Sequence, residues 1–503
     1  MLKGYRSLDG QIHSKRIGQF HKAIQLGQFP PRLAPDLFGS IGYPLFIVNY
    51  QLPYYLAEPF MFVKNDPMLA YKIVMSTSHI LGGIFAFILF RNIGSNWASL
   101  AGAVIFTYLP YRFGNLYMRG AFGESVSLMF VPLILLSAHL ITKDQRKGVF
   151  LLALATFGFI SSHTLTVPIF VPIITLYIFL ILRPSQKKLM TIFLGVIWGL
   201  LLSSFQLIPS ILEKKYMVFD QKFLNLYHDF FINFYQLFRI PMPEVNVGTY
   251  LQVGIVSTFI IATSTVIFLV KPSRFLAFFL FFSSISIFLT HSSSSWFWDN
   301  FPILKYTTYP YRFLSLTILS TAFLAVYVAD KINEVFLRIN LKNSFAVFLI
   351  LVTFYTNRHF FLTNAPWFAI PPPPSLTTQN ESDPIWSNEK TFIDRPLITS
   401  SSPIKITSLN QSPFSLSFET QVVNQTTIVV RKLYFPGWRL KISGENRQIS
   451  IKDGLISFDL EPGTSYIEAY FDKTPIRQVA DLTSLAGFLA LIVIFLGKQF
   501  SQP

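Results

Sequence analysis

"YLPYRFGNLYMRGAFGES", Tyr108 to Ser125, joins two long apolar runs yet carries Arg112, Arg119 and Glu124. The flanking runs, 95–117 and 121–141, are each about the 20 residues a helix needs to cross the hydrocarbon of a bilayer. Ionisable side chains are costly in lipid and tend to face the bundle interior or a water-filled cavity. The stretch therefore reads as the link between two membrane helices, at one mouth of a bundle.

Working outward, further apolar runs occur at 66–93, 148–163, 165–182, 189–209, 250–270, 274–290, 311–329, 343–361 and 481–497. The sequence thus predicts an α-helical polytopic membrane protein with about eleven membrane helices. Composition agrees: 51% of the 503 residues are hydrophobic and 13% are charged. The formal charge of +16 would suggest nucleic acid as the partner of a soluble chain. Here the basic residues fall in alternate short connections, around Arg91, Lys143 to Lys147, Arg183 to Lys188, Lys271 to Arg274, and Lys331 to Lys342. By the positive-inside rule these face the cytoplasm, and no nucleic-acid partner is expected. The other connections, 1–65, 210–249, 291–310 and 362–480, are longer and aromatic, and are expected outside.

This topology starts the chain outside with no inside-to-outside helix before it, which reads as a truncated or misassigned start in preference to a short basic tail that crosses unaided. Residues 1–65 form an external loop carrying an amphipathic helix at 9–26, with Ile17, Phe20 and Ile24 on one face, expected to lie on the membrane surface. Residues 42–59 read as an interfacial or re-entrant element. The membrane domain, 66–361, is followed by a Pro-rich linker at 362–374. From 375 to 472 short alternating runs separated by turn signals predict a small extracytoplasmic β-sandwich or jelly roll, and helix 481–497 tethers it.

The opening stretch shares "PYRF" with a second place: 110–113 and 310–313 both begin this way, and both are expected at the outer face, with His163 at a neighbouring helix end. A guanidinium donates two charge-assisted hydrogen bonds to a phosphate and stays charged when partly desolvated. Arg112, Arg119 and Arg312, with Glu124 and His163, are therefore candidate substrate-binding residues. The plainer alternative is interfacial snorkelling or an ion pair to Glu124. In "SLDGQIHSKRIG", Asp9, His13 and Arg16 fall at helical spacing. Asp9 and His13 there are candidate catalytic groups and Arg16 a candidate anion contact, a carboxylate being able to serve as general base toward a hydroxyl. Alternatively Asp9 is a helix cap and the others a solvated face. With no cysteine and no close His spacing, thiolate and His-built zinc sites are not expected.

"DGQIHSKRIGQFHKAIQLGQFPPRLAPDLFGSIGYPLF", "LPYRFGNLYMRGAFGES", "SHTLT", "YPYRF" and "LYFPGWRLKISG" together resemble the polytopic prokaryotic membrane proteins called 6-pyruvoyl-tetrahydropterin synthase-related. These are related in turn to YfhO-like proteins and to GT-C glycosyltransferases. Nothing in the chain resembles the soluble pterin synthase. The resemblance implies a GT-C-like fold and transfer of a sugar, with inversion, from a polyprenyl-phosphate donor to an envelope glycan or lipid acceptor. It implies Asp9 as the base, beside His13, and Arg112, Arg119 and Arg312 on the lipid phosphate. It leaves a divalent cation open, because Leu8-Asp9-Gly10 stands where many GT-C enzymes have two acidic residues. The rival readings are a transporter or flippase of lipid-linked sugars and a non-catalytic envelope assembly protein. In the β domain, Tyr434 and Trp438 read either as a sugar-stacking pair or as sandwich core, with core preferred for the tryptophan.

Overall fold

Each apolar run forms a helix in the computed structural model, which describes residues 7–145, 147–219, 224–238, 250–335, 342–358 and 382–499. Among the described residues, six helical stretches are long and apolar enough to span a bilayer: Pro67–Phe90, Phe122–Thr142, Thr164–Leu182, Gln186–Tyr216, Pro310–Ile332 and Pro475–Ile494. Arg274–Thr290 and Ser292–Asn300, bent by 95°, make a seventh broken span. The remaining runs form the shorter helices Asn96–Tyr108, Lys147–Ser162, Ile255–Val270 and Lys342–Thr356. The expected helix 95–117 stops early because Pro110 drives Leu109 into the extended region, at ψ 155°. The Pro-rich linker 362–374 lies outside the described residues.

The chain divides into two compact units. The first comprises residues 1–14, 55–203 and 223–371 and holds the helical bundle. Phe122–Thr142 and Pro310–Ile332 are its inner helices, with 83% and 89% of their spanning windows buried, against 39% for Pro67–Phe90. Among the described residues of Pro67–Phe90, the start is set by Pro67 at the first turn and by the Asp66 side chain, which accepts from the Leu69 amide at 3.0 Å.

The second unit comprises residues 15–54, 204–222 and 372–503. Its core is a sandwich of two antiparallel sheets, one ordered β1-β4-β8-β7 and the other β2-β3-β9-β5-β6. The strands are β1 (Ile398–Ser400), β2 (Ile404–Ser412), β3 (Ser415–Val422), β4 (Thr426–Leu433), β5 (Trp438–Ile442), β6 (Glu445–Arg447), β7 (Ser450–Lys452), β8 (Leu455–Leu460) and β9 (Gly463–Phe471). Alternation puts Leu416, Phe418 and Val422 of β3 opposite Ile428, Val430, Ile456 and Phe458 of the other sheet. The β7–β8 hairpin turns on Asp453-Gly454, both at positive φ, as a two-residue loop of this twist requires. Trp438 belongs to this core, 5% exposed, with Tyr434 packed against it.

Two features tie other segments of this unit to the sandwich. Arg477, at the start of the last helix, is fully buried and donates through Nε to Glu213 at 2.9 Å and through Nη2 to the Pro436 carbonyl at 2.8 Å. Lys432 of β4, 2% exposed, donates to the Ser40 and Ser412 carbonyls at 3.1 and 3.0 Å. Burial, with Arg431 beside it, lowers the Lys432 ammonium pKa to about 8. A lysine depressed below its unfolded value of 10.5 destabilises the fold while charged, and that cost lifts as pH rises from about 8 to 10.5. Thermal melts of the whole protein across that window should therefore show a stabilising component with rising pH, and Lys432→Met should flatten it.

The helix predicted at 9–26 is Gly10–Gln25. Its stripe does not meet lipid: within the second unit Phe20 packs on Phe46 and Tyr54, with ring centroids at 5.0 and 5.6 Å. Ile17 and Phe20 are both fully buried in protein. Residues 42–59 contain the turn Leu45–Val48 and the start of helix Leu52–Val63, with Pro59 inside it.

Candidate functional site

After Leu109 the chain makes one α turn, Pro110–Phe113, then a wide turn of π geometry, Gly114–Arg119. It reverses at Gly120, whose φ of +69° is left-handed, and enters Phe122–Thr142. Such π turns recur at functional sites. Here the extra residue and the reversal bring Tyr111, Asn115 and Arg119, spaced four apart, against Glu124. Gly114 permits the turn, since a Cβ there would fall 1.8 Å from the Tyr250 ring.

Glu124, 1% exposed, is saturated with donors. Tyr111 donates its hydroxyl to Oε1 at 2.7 Å and Asn115 donates Nδ2 to the same oxygen at 2.8 Å. Arg119 Nη1 donates to Oε2 at 3.0 Å, and Arg312 Nε lies 3.6 Å from that oxygen. Arg119 also donates to Asn115 Oδ1 at 2.7 Å, and its guanidinium lies 5.1 Å from the centre of the Tyr311 ring. Arg312 donates Nη1 to the Thr307 carbonyl and to Thr308 Oγ1. The two PYRF turns therefore do meet: the Tyr111 and Tyr311 rings are 6.5 Å apart.

Arg112 is held differently. It is 2% exposed, with Nη2 3.4 Å from His79 Nδ1 and the guanidinium 5.4 Å from the Phe106 ring centre. Its Nε and Nη1 are buried without a hydrogen-bond partner among the described residues. It remains within electrostatic reach of Glu124. His163, 6% exposed, sits within reach of Glu124, Arg119 and Arg312, and its carbonyl accepts from Thr166 Oγ1 at 2.7 Å. Among the described residues, Arg119 and Arg312 thus contact the Glu124 carboxylate, while the third buried guanidinium, Arg112, lies against His79.

The amino-terminal segment joins this group within the same unit. The Leu8 and Asp9 amides donate to the Met118 and Arg119 carbonyls at 2.9 and 2.7 Å. The Tyr71 hydroxyl donates to the Gly120 carbonyl at 3.1 Å. Asp9 is half-buried, and its carbonyl accepts the His13 amide at 2.9 Å, so it stands at the helix cap. His13 is not on a solvated face; it is 6% exposed, 6.4 Å from the Tyr71 ring and 5.5 Å from Phe122. Arg16 is buried, at 4% exposure, and falls in the second unit.

Sequence reasoning missed Tyr111, Asn115, Tyr311 and Tyr250. Tyr111 and Tyr311 were visible as the second letter of each PYRF; Asn115 carried only its four-residue spacing from Tyr111 and Arg119. Among the described residues no three His, Asp or Glu side chains gather as a metal site.

Gly120 is where the two segments touch. A Cβ there would lie 2.3 Å from Ser7 Oγ, 2.7 Å from the Tyr71 hydroxyl and 3.0 Å from the Gly10 nitrogen. Gly120→Ala should cost about 1–2 kcal/mol from backbone strain alone. It should also loosen residues 7–10, read as faster proteolysis near Leu8 at temperatures where the bundle stays folded.

The chain matches the membrane-protein family described as 6-pyruvoyl-tetrahydropterin synthase related domain, over residues 48–361. That match covers more than half of the sequence, and the protein belongs to this family of membrane proteins. Over an alignment 224 residues long, which covers 42% of this chain and 36% of the other, it is 25% identical to an uncharacterized protein of Lactococcus lactis subsp. cremoris (strain MG1363). Among solved structures, the chain resembles the apo Archaeoglobus fulgidus oligosaccharyltransferase with a TM-score of 0.44 at 13% identity, over 71% of this chain and 52% of that one. It also resembles the A. fulgidus oligosaccharyltransferase AglB in complex with an inhibitory peptide and a dolichol-phosphate, with a TM-score of 0.40 at 12% identity, over 71% and 51%. The chain thus spans little more than a third of its bacterial relative and about half of the archaeal enzymes.

Proposed function

We propose that the protein is a membrane glycosyltransferase of the GT-C type, moving a sugar from a polyprenyl-phosphate donor to an extracytoplasmic envelope glycan or lipid. One observation carries the reading: Arg112 is buried within electrostatic reach of Glu124, with two guanidinium nitrogens that meet no hydrogen-bond partner among the described residues. Buried charge is expensive unless paired, so a site with surplus positive charge suits an anion that binds there. Arg112, with two nitrogens unpartnered among the described residues, is the first contact for the donor phosphate. Arg119 and Arg312, oriented by Glu124, add positive potential around it.

In the proposed reaction the acceptor oxygen bonds to the anomeric carbon while the bond from that carbon to the phosphate oxygen breaks. The electron pair leaves with the phosphate, whose growing charge the guanidiniums stabilise. Asp9 takes the acceptor proton. These connections alternate with the basic ones along the chain, so the site would open outside under the positive-inside rule. The β-sandwich would then also be extracytoplasmic.

The test supplies membranes containing the full-length protein with radiolabelled polyprenyl-phosphate hexoses and an envelope lipid fraction. Labelled product that depends on Asp9 and Arg112 supports the proposal. Absence of transfer with every donor, despite folded protein, would overturn it in favour of transport or assembly.

A further inference from the structure

Away from this site, an apolar groove of about 380 Å³ runs between Thr164–Leu182 and Arg274–Thr290. Its walls include Leu176, Leu180, Phe278, Phe281 and Phe282, and two cations, Arg183 and Arg274, line it as well. The groove faces outward from the bundle: Leu180 and Phe281 are 48% and 59% exposed. Both arginines lie in short connections of the basic set, the expected cytoplasmic side.

Neither guanidinium has an ion pair among the described residues. Arg183 ends its helix in the left-handed conformation and donates Nε to the Leu180 carbonyl at 3.1 Å. Arg274 occupies the first turn of its helix, after the Ser273 cap, which accepts the Leu276 amide at 3.2 Å. That is the positive end of the helix dipole, where a cation gains nothing from the helix and an anion gains from both. An apolar trough with two unneutralised cations complements an amphiphile with a chain and a negative head. A soluble anion would leave the phenylalanine wall unused.

We propose that this groove binds an anionic phospholipid of the cytoplasmic leaflet, its acyl chain along Phe278 and Phe281 and its phosphate on Arg183 and Arg274. Basic pockets at helix ends on this side suit such head groups. The site is independent of the transfer reaction.

The experiment is native mass spectrometry of the full-length protein released from nanodiscs of equal phosphatidylglycerol and phosphatidylcholine. Wild type should retain phosphatidylglycerol over phosphatidylcholine by roughly thirtyfold, the ratio that about 1 kcal/mol from each of the two arginines gives. The pair Arg183→Gln and Arg274→Gln should abolish the preference, and the pair Arg183→Lys and Arg274→Lys should retain most of it, separating charge from misfolding. Ala277→Trp, which fills the groove, should reduce retention of both lipids. Equal retention of the two lipids by wild type, an unchanged preference in the glutamine pair, or displacement by soluble glycerol phosphate would each overturn the proposal.

Discussion

Glu124→Ala is expected to destabilise the bundle by about 3–5 kcal/mol, because it strips the shared counter-ion from Arg119 and Arg312 in a buried setting. The loss should exceed that of Glu124→Gln, which keeps a side-chain oxygen for the Tyr111 and Asn115 donors but removes the charge. Thermal melts in detergent at neutral pH read the difference directly. An alanine variant that melts with wild type would mean that the guanidiniums find other partners, and the cluster would not be the keystone of this helix junction.

The second large effect falls on activity. Asp9→Asn is expected to reduce sugar transfer about 10²–10⁴-fold, the range a positioned general base contributes. Two backbone bonds survive the change, its amide to the Arg119 carbonyl and its carbonyl from the His13 amide, and a thermal melt of the variant separates lost chemistry from lost fold. Asparagine preserves both and keeps the shape. Wild-type turnover in Asp9→Asn would remove the proposed base while leaving the anion site to be judged alone.

How far the sequence could be read depended on the range of the interaction involved. Helices over runs such as 274–290 follow from apolar length, and the sandwich follows from strand alternation with local turn chemistry such as Asp453-Gly454. The end of the helix at Tyr108 was also legible in principle, since Pro110 restricts the residue before it. What periodicity could not show was the partner of each charge. Arg112 and Arg312 share a PYRF, yet one lies against His79 and the other against Glu124. Local sequence is the same, and tertiary placement decides. The helix at Gly10–Gln25 failed in another way: its apolar stripe was correct, but such a stripe does not distinguish lipid from protein, and Phe46 and Tyr54 cover it. The alternative of a solvated face for His13 fails for the same reason, with Tyr71 and Phe122 arriving from distant segments.

The central claim is that the surplus positive charge beside Glu124 holds a lipid-linked phosphate. The most direct measurement is equilibrium binding of radiolabelled polyprenyl phosphate and of the matching uncharged polyprenol, in protein already carrying Arg183→Gln and Arg274→Gln to silence the distant groove. The account predicts that the phosphate binds at least tenfold more tightly than the alcohol and that adding Arg112→Gln erases most of that margin, a charged hydrogen bond being worth about 1.5–3 kcal/mol. Equal binding of phosphate and alcohol, or a margin indifferent to Arg112, would contradict it.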